Sequence, residues 1–178
     1  AGGVILIETE SGPPIPIAET RLTFGSYGFF QTQAKAGGQW DHLNALANLS
    51  YMEYDGYRNH SRTRGSRFNS KVEYEIKPNS ELTLIANAID LPQQDDPGGL
   101  TLAEAEDDPR QARERNLLFN SGEEVSQERI GAKWSYLFDE SKELIIRGYY
   151  THRDFANRLP FENGGQVTFE RHYPGAGF

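Results

Sequence analysis

The stretch Gln39–Tyr57, QWDHLNALANLSYMEYDGY, sets the reading of the whole chain. From Leu43 onward the odd positions Leu43, Ala45, Ala47, Leu49 and Tyr51 are apolar, whereas His42, Asn44, Asn48 and Ser50 are polar, with Leu46 the one exception. This period of two is that of a β-strand with unlike faces. Trp40 opens the run and Tyr51, Tyr54 and Tyr57 close it. Aromatics therefore flank an apolar stripe about as long as a tilted membrane-spanning strand, roughly 9–11 residues. The same alternation would suit a soluble sandwich strand with one face buried.

Outward from this strand the pattern repeats. Glu19–Gly25 and Phe30–Ala36 alternate around the tight connection Gly25-Ser26-Tyr27-Gly28, and Gly37-Gly38 reads as the turn into the quoted stretch. Phe68, Val72, Tyr74 and Ile76 oppose Asn69, Lys71, Glu73 and Glu75; Lys77-Pro78-Asn79-Ser80 reads as a turn; Leu82, Leu84, Ala86 and Ala88 follow. Ile130, Ala132, Trp134, Tyr136 and Phe138 make another strand against Arg129, Lys133 and Ser135, and Leu144, Ile146, Gly148 and Tyr150 the next. The expectation is an all-β antiparallel meander of about seven strands, an open curved sheet that is part of a barrel. Between strands, Thr101 and Glu104 match a capping box before Leu102–Asp107, and Pro109 marks the start of a second short helix reaching about Arg115. The segment from Asp154 to Phe178, with its prolines and glycines, reads as loop.

Composition narrows the function classes. Among 178 residues there is no cysteine, which removes disulfides, Cys-rich metal sites and thiol nucleophiles. No run approaches the roughly 18–20 apolar residues of a transmembrane helix, and no signal peptide is present, so the chain is read as intracellular or as a piece of something longer. Of the net charge of −8, residues 91–124 supply −6, from nine acidic and three basic groups. An acidic chain is a poor nucleic-acid binder. His42, His60, His152 and His172 show no HExxH or His-x-His spacing, and neither a Gly-x-Ser-x-Gly elbow nor a phosphate loop occurs, so no enzyme is expected.

Connections at 37–38, 77–80 and 139–142 are short, those at 53–66, 91–124 and 154–178 are long, and the two kinds alternate. A transmembrane barrel sorts its loops this way. With that arrangement in view, several motifs resemble TonB-dependent outer-membrane receptors. Gly2-Gly3-Val4-Ile5-Leu6-Ile7 is similar to the end of their plug domain. The hairpin Leu22–Gly38, the Ser50–Arg58 stretch, Pro97-Gly98-Gly99-Leu100-Thr101 and Tyr149-Tyr150-Thr151-His152-Arg153-Asp154-Phe155 also look like that family. The resemblance implies that residues 1–12 are the last plug strand and 13–178 the N-terminal part of a barrel of about 22 strands in the Gram-negative outer membrane. It further implies uptake of an iron chelate, siderophore or ferric citrate, energised by TonB through a region upstream, with no cofactor beyond the iron carried in the substrate. Heme, cobalamin and oligosaccharides are carried by relatives. Other readings are a barrel without a plug, porin or adhesin, and a soluble β-sandwich binding module.

By resemblance the long loops are extracellular and the polar face looks onto the plug. Gln31, Gln33, Lys35, Asn69, Lys71, Glu73, Arg129 and Lys133 would then meet the plug or line a path. Loop residues Arg58, Arg62, Arg64, Arg110, Arg113, Arg115, Arg158 and Phe161 are the candidate substrate contacts, since guanidinium groups and rings suit an anionic, partly aromatic chelate. Tyr57 and Phe155 fit that role or an aromatic girdle. The acid pairs Asp95-Asp96 and Asp107-Asp108 offer oxygen ligands for Ca²⁺, or plain loop charge and helix caps. Lipid and lipopolysaccharide are the expected surroundings.

Overall fold

A computed structural model describes residues 2–3, 9–162 and 165–178; the expected plug strand Val4–Ile7 lies outside the described residues. The chain runs β1 (Ile17–Phe24), β2 (Phe30–Trp40), β3 (Leu43–Tyr54), β4 (Thr63–Lys77), β5 (Ser80–Asp95), α1 (Leu102–Asp107), α2 (Glu114–Leu118), β6 (Gly122–Asp139), β7 (Lys142–Arg158) and β8 (Gln166–Gly177). The strands form one antiparallel sheet in sequence order, β1 to β8, each paired to its chain neighbours.

The register shows which side chains share a face. One cross-strand row reads Ala18, Ala36, Ala47, Ser70, Ala86, Ile130, Tyr150 and Pro174. The row beside it on the opposite face holds Lys35, Asn48, Asn69, Asn87, Arg129 and Thr151. The period-two pattern thus places every alternating apolar set on a single face. No second layer covers that face among the described residues: Leu22, Leu49 and Ile130 are 61%, 54% and 62% exposed, and the only buried apolar side chains are Leu91 and Ala112. The fold is therefore not a sandwich, in which this face would be the core. Aromatics gather at both ends of the apolar stripe. Trp134, Tyr136 and Phe138 follow one another with ring centroids 6.0 and 4.8 Å apart, the first pair tilted and the second edge to face, and Trp134 Nε1 donates to Ser80 Oγ at 2.9 Å.

The turns sort by edge. Residues 41–42, 78–79 and 140–141 make two-residue turns on one edge of the sheet, whereas 25–29, 55–62, 96–121 and 159–165 connect the strands on the other.

Four details depart from the sequence reading. There are eight strands where about seven were expected, because 154–178 is not a loop: β7 continues to Arg158 and β8 pairs with it from Arg147↔Gly177 to Arg158↔Gln166. Pro174 lies opposite Tyr150 in the β7–β8 register, and Gly175 leaves room for the Tyr149 ring that lies across it. Gly37-Gly38 is not a turn but part of β2, whose chain reverses at Asp41, φ +46°. A Cβ at Gly38 would sit 2.8 Å from Pro16 Cα, so these glycines serve close approach, not reversal. Finally, α2 begins at Glu114 instead of Pro109. Asp108 captures the intervening backbone, accepting from Arg110 N through Oδ1 and from Gln111 N through its carbonyl.

Candidate functional site

Two groups of contacts stand out, one on the polar face and one on the long-loop edge. On the polar face the segment Thr9–Gly12 lies against β2, β3 and β4. Asn44 closes a double hydrogen bond with Gly12, its Oδ1 accepting from Gly12 N at 2.6 Å and its Nδ2 donating to Gly12 O at 2.8 Å. Lys35 Nζ pairs with Glu10 at 2.7 Å. Lys71 Nζ donates to Ser11 Oγ at 2.9 Å and pairs with Glu73 at 2.7 Å. Period-two alternation presents these side chains on one face, and the segment partners Lys35, Asn44 and Lys71 there. Neutral bonds of this kind contribute about 1 kcal/mol each, and the exposed Lys35–Glu10 ion pair about 1 kcal/mol at most. Other polar-face residues pair along the sheet: Arg129 Nε donates to Thr151 Oγ1 at 2.9 Å and Asn87 Nδ2 to Asn69 Oδ1 at 3.0 Å, while Lys133 lies 3.9 Å from Glu81.

On the long-loop edge, loop 55–62 is tied into loop 96–121. Arg58 donates to Gln111 O at 2.8 and 2.9 Å, to Gly98 O at 2.6 Å and to Pro97 O at 3.1 Å. Asn59 N donates to Arg110 O at 2.7 Å, and His60 Nε2 bonds Ser121 O at 2.8 Å. Within the longer loop Asn116, 2% exposed, donates to Asp96, and Gly98 at φ +70° leaves no room for a Cβ beside Asn116 Oδ1. The Thr101–Glu104 capping box forms in full, with both Thr101 N and Thr101 Oγ1 donating to Glu104 Oε2 at 2.7 and 2.9 Å. Those bonds hold the Glu104 carboxyl below its ordinary 4.5, the Thr101 backbone N–H contributing most. The loop is a folded rim, not a slack connector.

The candidate contact residues divide accordingly. Arg58 is spent on the loop junction. Arg110 donates to Tyr57 O at 3.2 Å and sits 5.9 and 5.8 Å from the Tyr27 and Tyr57 ring centres, themselves edge to face. Arg158 bonds Asn120 O at 2.9 Å and pairs with Glu124; Arg62 pairs with Glu53. Arg64, Arg113, Arg115 and Phe161 are exposed. Of the first acid pair, Asp96 staples the turn, its Oδ1 accepting from Gly98 N, while Asp95 at the end of β5 accepts through Oδ2 from Gln93 Nε2, both at 2.9 Å. Two sets of contacts had no separate signal in the sequence. Asn44 shows only as a polar member of an alternation, and the approach of His152 to His172 depends on β8, whose proline and glycines mask its pattern. No protein-family model matches the chain.

Proposed function

We propose that the chain is the first part of the barrel of a TonB-dependent outer-membrane receptor, with residues 1–12 the last strand of its plug, and that the whole protein takes up an iron chelate. One observation carries the reading. The apolar face of the sheet is bare, while the polar face is occupied by Thr9–Gly12 through Asn44, Lys35 and Lys71. A closed barrel with lipid outside and a plug inside asks for that distribution, since apolar strands then meet hydrocarbon and polar ones meet partners. A porin or adhesin barrel without a plug gives the N-terminal segment no reason to lie on the inner wall. The turns agree, two-residue ones on the periplasmic rim and longer ones outside.

In this setting the rim built from loops 55–62 and 96–121 is the outer vestibule. Arg58, Arg110 and Arg158 shape it, and Arg64, Arg113, Arg115 and Phe161 remain to meet an anionic chelate. The role is binding and translocation, not catalysis. The deciding experiment measures uptake of radiolabelled ferric citrate and of a ferric siderophore by iron-starved cells carrying the full-length protein, with and without TonB. TonB-dependent uptake of either is expected. TonB-independent leakage of small solutes, with neither chelate concentrated, would establish the porin reading instead.

A further inference from the structure

Beyond the apolar stripe, the same face of β6, β7 and β8 turns polar, and three side chains there converge. His152 and His172 are direct cross-strand partners, with rings stacked at 4.9 Å. Each turns its Nε2 toward one carboxylate oxygen: Glu170 Oε1 lies 3.2 Å from His152 Nε2 and 3.2 Å from His172 Nε2. The three donor atoms lie within 4.8 Å of one another. We propose that His152, Glu170 and His172 form a binding site for a divalent transition metal of the zinc class.

Three features of the geometry carry this. First, the donor set of two imidazoles and a carboxylate matches zinc-type sites with a position left open. Second, the spacing is right: bonds of about 2.1 Å in a tetrahedron put ligands about 3.4 Å apart, close to the two observed separations. Third, each imidazole is held from behind at its other nitrogen. His152 Nδ1 is 3.1 Å from Glu128 Oε2, and His172 Nδ1 is 2.6 Å from the Tyr150 hydroxyl. The Glu128 carboxylate, accepting from Nδ1, selects the His152 tautomer whose Nε2 is free to ligate, and the Tyr150 hydroxyl does the same for His172 when it accepts from Nδ1. Asp154 Oδ2 lies 3.7 Å from His152 Nε2, outside the converging group of three. A bound metal would join β7 to β8 by a bridge across the strands.

The test titrates the full-length protein, purified in detergent, with Zn²⁺ in competition with a chromophoric chelator, and with Co²⁺ as a spectroscopic stand-in. One Zn²⁺ per protein is expected, along with a Co²⁺ visible spectrum of four- or five-coordinate type. His152→Ala with His172→Ala should weaken Zn²⁺ binding at least 100-fold, and Tyr150→Phe about tenfold, the loss typical of an outer partner. Zinc binding undiminished in the double variant would place the metal elsewhere and overturn the assignment. So would the weak octahedral spectrum of aqueous Co²⁺ in the wild-type protein, a result that stands even should the double variant fail to assemble. Glu170→Gln should shift the Co²⁺ bands; an unchanged spectrum would remove the carboxylate from the site.

Discussion

Ala47 and Asn48 are neighbours in β3, yet the register sends Ala47 into the row with Ala36 and Ser70, and Asn48 into the row with Lys35 and Asn69. On the proposed reading Ala47→Arg in vesicle-assembled protein costs about 2–4 kcal/mol, while Asn48→Arg costs much less. Urea unfolding in vesicles measures both, and equal penalties would leave the membrane assignment without support. Asn44 is not an equivalent control although it shares the polar face, because its side chain is committed to Gly12. A second prediction concerns pH. Glu104 in the α1 capping box has its carboxyl pKa depressed by hydrogen bonds from Thr101. A depressed carboxylate stabilises the fold above its unfolded value and loses that contribution as pH falls through the lower folded one. Amide protection factors in Leu102–Asp107, taken relative to the intrinsic exchange rate at each pH, should therefore fall as pH drops below 4.5, and Thr101→Ala should produce the same loss of protection already at neutral pH. Protection in the wild type that ignores pH across this range would mean the box does not hold the helix.

At the level of elements, the strands that sustain an alternation were readable directly. Leu43–Tyr51, Phe68–Ile76 and Ile130–Phe138 announce themselves because one face must differ chemically from the other. What hid from sequence reading were positions where backbone geometry overrides residue propensity. Gly37, Gly38, Pro174 and Gly175 look like chain breaks, but in the sheet the glycines allow close approach or sit beneath an aromatic ring, and Pro174 keeps its place opposite Tyr150. The capping box of α1 was legible because it is local, whereas the displaced start of α2 depends on where Asp108 spends its hydrogen bonds. Of the candidate contacts, sequence named the loop arginines but could not tell the anchoring from the exposed ones, since for Arg58, Arg110 and Arg158 that depends on partners 38 to 53 residues away. The two loops should therefore fail together. Removing residues 97–119 from the full-length protein touches no strand, so assembly is expected to survive while chelate affinity falls at least tenfold, about 1.4 kcal/mol. Arg58→Ala should loosen both loops at once, seen as faster proteolytic nicking in 55–62 and 96–121. Full affinity after the deletion would move the substrate contacts off this rim.

For the molecule as a whole, β1 and β8 each present an unpaired edge, and the apolar face has no cover among the described residues. Both features invite association in water. Residues 1–178 produced alone should thus sediment as polydisperse aggregates without detergent, and added detergent should disperse them. A monodisperse soluble monomer would require a packing partner for this face that the sheet does not provide.

The unequal connections also bear on the order in which the sheet comes together. Closing a two-residue turn demands little chain entropy, while bringing together the ends of 96–121 demands more, so β2–β3, β4–β5 and β6–β7 are the natural early hairpins. The seams between them, β3 to β4 and β5 to β6, are then sewn last. On the proposed reading, each long connection is carried to the far side of a bilayer before its seam closes, and the acidic 96–121 stretch is the slowest passenger. The folded rim that equips the outer surface would thus also set the tempo of barrel assembly.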